Sequence, residues 1–119
     1  MKRIIIFLSF SIFFLIFYSS CKSNDSYNSG HVIKYVVSGT AKTVDVTISG
    51  QKESTEQFSN VIVPWHYSFT GYSGDFIYVS AQNNGEKGTV TVTILRDEKE
   101  IKTATSDGAY VIATASGSI

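Results

Sequence analysis

Two stretches decide the fold: Thr43-Val44-Asp45-Val46-Thr47-Ile48-Ser49 and Thr89-Val90-Thr91-Val92-Thr93-Ile94. In each, apolar and polar residues alternate strictly, so on an extended chain Val44, Val46 and Ile48 share one face, as do Val90, Val92 and Ile94. The other face is Thr, Asp and Ser. That is the pattern of an antiparallel sheet with one side in a core and the other in water. A helix would need its apolar residues three and four apart, and neither stretch supplies them.

Composition outward from these stretches agrees. After Gly30 there is one leucine, Leu95, and no methionine, against eleven valines. β-branched and aromatic side chains suit a pleated, half-buried surface. Further strands are expected over Val32 to Ser38, Thr55 to Val63, Trp65 to Thr70, Asp75 to Gln82, Lys99 to Thr105 and Tyr110 to Ser116. Ser38-Gly39, Ser49-Gly50, Gly71-Tyr72-Ser73-Gly74, Asn83-Asn84-Gly85, Asp97-Glu98-Lys99 and Ser106-Asp107-Gly108 are the intervening turns, where Gly, Asn and Asp tolerate positive φ. Pro64, the only proline, cannot donate to a ladder and marks a sharp crossing between two strands. Seven or eight short strands at this spacing predict an all-β domain, a small antiparallel β-sandwich of immunoglobulin-like character, spanning 31–119.

The first twenty residues are of another kind. Met1-Lys2-Arg3 is a short positive segment, and Ile4 to Tyr18 is a 15-residue apolar run broken only by Ser9 and Ser11. The run is short for a membrane-spanning helix, which needs about 20 residues, and fits the apolar region of a secretory signal over 1–20. Tyr18-Ser19-Ser20-Cys21 resembles a bacterial lipobox, with small residues before a cysteine that is diacylated and becomes the new N-terminus. Tyr18 stands where an aliphatic residue is usual. Cys21 is the only cysteine in the chain, so it has no internal disulfide partner, and lipid attachment gives a lone exported thiol a role. Residues 21–30, running from Cys21 through the Ser/Asn-rich KSNDSYNSG, read as a flexible tether of short reach, about 5–6 Å × √n for n residues. The expected location is the bacterial cell envelope, lipid-anchored and outside the cytoplasm; Lys22, where some bacteria place an Asp for inner-membrane retention, favours the outer membrane.

Charge narrows the function classes. The 119 residues carry ten basic and ten acidic side chains. Without Lys2 and Arg3 the remainder holds eight basic against ten acidic, a net charge of −2. A chain without basic surplus is no nucleic-acid binder, whose affinity rests on neutralising phosphates.

Constellations for chemistry are sparse. His31 and His66 are the only histidines and lie far apart in sequence, so neither a zinc site nor a Ser/His/Asp triad is expected, and no G-x-S-x-G elbow occurs. The carboxylates fall mostly in or beside turns, and no calcium loop of the D-x-[DN]-x-[DN]-G type is present. Asn83-Asn84-Gly85-Glu86-Lys87-Gly88 reads as a hairpin turn and lacks the G-K-[ST] of a phosphate loop. No cofactor is expected, and the chain reads as non-enzymatic. The distinctive cluster is Val63-Pro64-Trp65-His66-Tyr67-Ser68-Phe69 followed by Tyr72. On a strand Trp65, Tyr67 and Phe69 share one face, with His66 and Ser68 on the other. Two readings stand: the rings are core, or, with Tyr72 and Tyr78, they form an aromatic patch that docks a partner, a small molecule or a glycan.

Ser38-Gly39-Thr40-Ala41, Val44-Asp45-Val46-Thr47, Thr55-Glu56-Gln57, Val63-Pro64-Trp65, Ser80-Ala81-Gln82 and Gly88-Thr89-Val90-Thr91-Val92 occur in the order and spacing of a known family. From about Tyr35 to Ser118 the chain resembles the extracytoplasmic domain of the mycobacterial MmpS membrane proteins. The resemblance implies a small β-sandwich displayed from a membrane as an accessory to an RND-type transporter of lipids or siderophores, and brings no catalytic residues. The chain departs from that family at its N-terminus, where MmpS proteins carry an uncleaved transmembrane helix and this chain carries the lipobox-like end. The resulting expectation is a lipid-anchored module that binds another envelope protein.

Overall fold

Residues 29–119 are described by a computed structural model; the signal segment, Cys21 and the tether up to residue 28 lie outside the described residues. Both alternating stretches are strands with their apolar sets fully inside: Val44, Val46 and Ile48, and Val90, Val92 and Ile94, are each 0 or 1% exposed. Eight strands occur in order: β1 (His31–Ser38), β2 (Thr43–Ser49), β3 (Thr55–Ile62), β4 (Trp65–Gly71), β5 (Phe76–Asn83), β6 (Thr89–Arg96), β7 (Lys99–Asp107) and β8 (Ile112–Ser118). A single 3-10 turn, Gln51–Glu53, joins β2 to β3.

The strands form two four-stranded antiparallel sheets, β4-β1-β6-β7 and β3-β2-β5-β8, which pack face to face as a β-sandwich. The two central strands of each sheet supply the core in triplets. Ile33, Tyr35 and Val37 of β1 and the β6 set come from one side; the β2 set and Ile77, Val79 and Ala81 of β5 come from the other. Each Val or Ile removed from water in this way stabilises the fold by about 1.5–3 kcal/mol. Edge strands contribute less, because their inner faces meet solvent at the flank: Phe69 from β4, Ala113 and Ala115 from β8, and no buried residue from β3 or β7.

Turn chemistry sets the boundaries. Asp97 and Glu98, at φ 49° and 68°, make the two-residue turn that joins β6 to β7. Gly39, at φ +124°, lies where a Cβ would overlap the Thr89 carbonyl, so only glycine fits there. Most strand ends lie one or two residues from expectation, and two of these differences have a visible cause. The β2–β3 register shifts between Val44 and Val46, with Asn60 at φ 52° donating its amide to Asp45 Oδ1 at 2.8 Å, so β3 is bulged and ends at Ile62. Tyr110 remains in the turn, at φ 54°, its amide bound to the Gly85 carbonyl at 3.1 Å, and β8 starts two residues later. Pro64 does separate two strands of different sheets, β3 and β4.

Candidate functional site

Strand β4 lies at the edge of its sheet, paired only with β1, with Trp65 opposite Val37, Tyr67 opposite Tyr35 and Phe69 opposite Ile33. That register turns Trp65, Tyr67 and Phe69 toward the interior. Phe69 is buried, its ring 5.4 Å from that of Tyr35, while Trp65 and Tyr67 are half-buried. Across the gap, Phe58 of β3 lies 5.1 Å from the Trp65 ring and 5.9 Å from that of Tyr67. Trp65 and Tyr67 stack at 6.3 Å, and Tyr67 meets Phe69 at 6.2 Å. Edge-strand aromatics from the two sheets thus plug one flank of the sandwich. Of the five rings named for an aromatic patch, Trp65, Tyr67 and Phe69 do come together here.

Polar groups secure the plug. Glu56, two residues before Phe58, accepts a hydrogen bond from the Tyr67 hydroxyl at 2.8 Å, tying β3 to β4. That bond to the carboxylate, more than desolvation or charge repulsion, holds the Tyr67 phenol above its ordinary pKa. Deeper in, the Tyr35 hydroxyl donates to the Ser49 carbonyl at 2.5 Å and accepts the Tyr78 amide at 3.2 Å, crossing from one sheet to the other. Burial first, and the neighbouring Tyr67 phenol to a lesser degree, push the Tyr35 pKa up to about 12, against a lowering by the Tyr78 amide.

Tyr72 does not join this cluster. It lies beyond the end of β4, seven residues or about 23 Å of extended strand from Trp65, exposed and packed near Gly30. Tyr78 faces the opposite side of the other sheet and stacks on Phe76 at 6.2 Å with 26° between the rings. His31 and His66 are five rungs apart on the β1–β4 ladder. His31 Nδ1 is 2.7 Å from Asp97 Oδ2, while Asp97 Oδ1 accepts the Val32 amide at 3.0 Å. Those two contacts, His31 foremost, hold the Asp97 carboxyl below its usual range. Among the described residues no three His, Cys, Asp or Glu side chains converge to hold a metal.

A second feature lies at the end of the sandwich opposite His31. A groove of about 770 Å³ is lined by Thr40, Lys42, Thr43 and the 83–88 segment, which joins β5 of one sheet to β6 of the other and so is not the hairpin turn expected from its sequence. Asn83, 1% exposed, builds its floor: the side-chain amide donates to the Lys87 and Gly108 carbonyls at 3.0 and 3.1 Å, and Oδ1 accepts the Gly85 amide at 2.8 Å. Two exposed apolar residues adjoin its lining through the backbone. Ile62, 74% exposed, pairs with Thr43 on one side, and Tyr110, 54% exposed, adjoins Gly85 on the other. The one ion pair among the described residues is His31–Asp97, so Lys42 and Lys87 are unpaired at this groove.

Phe58, Glu56, Asn83, Ile62 and Tyr110 were not legible as site residues. Phe58 had one signal, being the only aromatic residue of its strand. Scanned against protein-family models the chain matches none, and a search among curated proteins finds no match.

Proposed function

We propose that this protein is a non-enzymatic, lipid-anchored envelope protein whose β-sandwich binds another envelope protein, as an accessory in a transport or assembly complex. The observation that carries the reading is the polarity of the domain. The chain enters the sandwich at His31, and the far end gathers Ile62 and Tyr110 about a groove bearing two unpaired lysines. A module tethered at one end is best placed to meet a partner with the other. An exposed tyrosine and isoleucine beside a polar groove suit a protein interface, in which a few large side chains supply most of the affinity. The MmpS-like order of motifs supports the same class, and the acylated Cys21 would supply the anchor.

Site-specific photo-cross-linking in intact cells tests it. With p-benzoylphenylalanine in place of Tyr110, a discrete cross-linked species containing a second envelope protein is expected. The same probe in place of Tyr72, at the tether end, gives none. Uncross-linked monomer from the Tyr110 position, or equal products from both, would refute the assignment.

A further inference from the structure

The outer face of the β3-β2-β5-β8 sheet is chemically unlike its counterpart. Its four strands carry no lysine or arginine, whereas the other sheet holds Lys34, Arg96, Lys99 and Lys102. Phe76 and Tyr78 stand on this cation-free face, and Phe76 is 46% exposed.

The ordinary reason for aromatics on a solvent face is packing against cross-strand neighbours, where aromatic and β-branched partners add stability. Here the neighbours are serines. Tyr78 is opposite Ser49 on one side and Ser116 on the other, and Phe76 is opposite Ser118. The rings gain little from such partners; they stack on each other, with Phe76 exposed and Tyr78 half-buried.

The next rung, Ser80 opposite Thr114, continues a row of hydroxyls alongside the rings. Both carboxylates that bound the face are engaged by protein: Glu53 accepts the Phe76 amide at 2.8 Å, and Asp45 accepts the amide of Asn60 and the side chain of Asn84. A surface without cations, bearing two adjacent near-parallel rings and a flanking row of hydroxyls, matches a sugar chain. Aromatic rings stack on the C–H faces of pyranose rings, and serine and threonine exchange hydrogen bonds with the ring hydroxyls. It matches a protein interface less well, since interface centres are depleted in serine and an acidic partner would find no cation here.

We infer that this face is a binding platform for a neutral polysaccharide, with Phe76 and Tyr78 as the stacking residues and Thr114, Ser116 and Ser118 as hydrogen-bonding partners. Nothing in the platform requires the Trp65 cluster, whose rings pack on one another and on Phe58.

The test is retention of the detergent-solubilised full chain on insoluble cellulose, insoluble chitin and cross-linked dextran, three neutral polymers of different linkage. Retention on at least one is expected, weakened about tenfold by F76A and by Y78A, the loss of roughly one good contact each, and restored by F76W. T91V, on the outer face of the other sheet, should bind as the parent does, and far-UV circular dichroism should be unchanged in all variants. The proposal is overturned if none of the three polymers retains the chain, if F76A/Y78A binds undiminished, or if the variants instead abolish a self-association seen by sedimentation.

Discussion

Asp97 shows how a single exposed carboxylate can hold a strand in place. One oxygen meets His31 and the other accepts the Val32 amide, while the Asp97 amide donates to the Val32 carbonyl at 2.9 Å, so the β6–β7 turn clasps the start of β1. Because the folded state holds this carboxyl below its ordinary pKa, the ionised form is the one that folding favours. The resulting stability is present above the unfolded pKa and is lost as pH falls through the lower folded value. Asp45, lowered by the Asn60 amide and then the Asn84 side chain, acts in the same direction. Thermal melts of D97N against the parent, taken downward from neutral pH to below about 4, should show a shallower acid loss in the variant, with the Asp45 share remaining. Identical acid limbs would mean that the clasp carries no proton linkage.

At the scale of elements, the two flanks of the sandwich are closed by different means. Along β7 and β8 small residues, Ala104, Ala113 and Ala115, allow close approach, and Ser106 Oγ donates to the Ile112 carbonyl at 2.7 Å. Along β3 and β4 the gap is filled by Phe58, Trp65 and Tyr67 and braced by Glu56. F58A removes the member that all the others lean on. A fully buried Phe→Ala costs about 3–5 kcal/mol, and a half-buried one about 2; chemical denaturation should show that loss together with a red shift of the Trp65 emission. H66A, on the outer face of the same strand, should leave both unchanged. A loss under about 0.5 kcal/mol for F58A would mean that the flank is not closed by this plug.

This flank also marks how far reading along the chain could go. Alternation in β2 and β6 located the buried triplets because a period of two is local to each strand, and it placed Trp65, Tyr67 and Phe69 on one face for the same reason. Phe58 escaped because the bulge at Asn60 breaks the alternation of β3, and because its nearness to Trp65 depends on how two sheets stack. Tyr72 was grouped with Trp65 by closeness in sequence, but an extended strand separates its two ends, and the pair fall at opposite ends of the molecule. Asn83 read as turn vocabulary; its burial appears only once the Lys87 and Gly108 carbonyls converge on it from different segments.

For the whole molecule, the division of charge and the direction of chain entry combine into one arrangement. The strands of one sheet carry lysine and arginine, those of the other carry none and are rich in hydroxyls, and the chain enters at one end while the grooved end lies opposite. An anchor at Cys21 would leave both the groove and the cation-free face free, since about ten residues separate it from β1 and a flexible linker of that length spans about 5–6 Å × √n. Acyl chains contribute about 0.8 kcal/mol per buried CH₂, so more than one chain gives stable attachment that no surface of a net-acidic domain would replace. Cys21→Ala should therefore move the protein from the membrane fraction to the soluble extracytoplasmic fraction, with its thermal unfolding midpoint within about 3 °C of the parent domain's, because surface changes remote from packed features stay within about 0.5 kcal/mol. Fractionation with quantitative blotting reads the first part and melting of the released protein the second. Retention of the variant in membranes would transfer the anchoring role to the apolar Ile4–Tyr18 run, and release of an unfolded chain would mean that the sandwich depends on its tether.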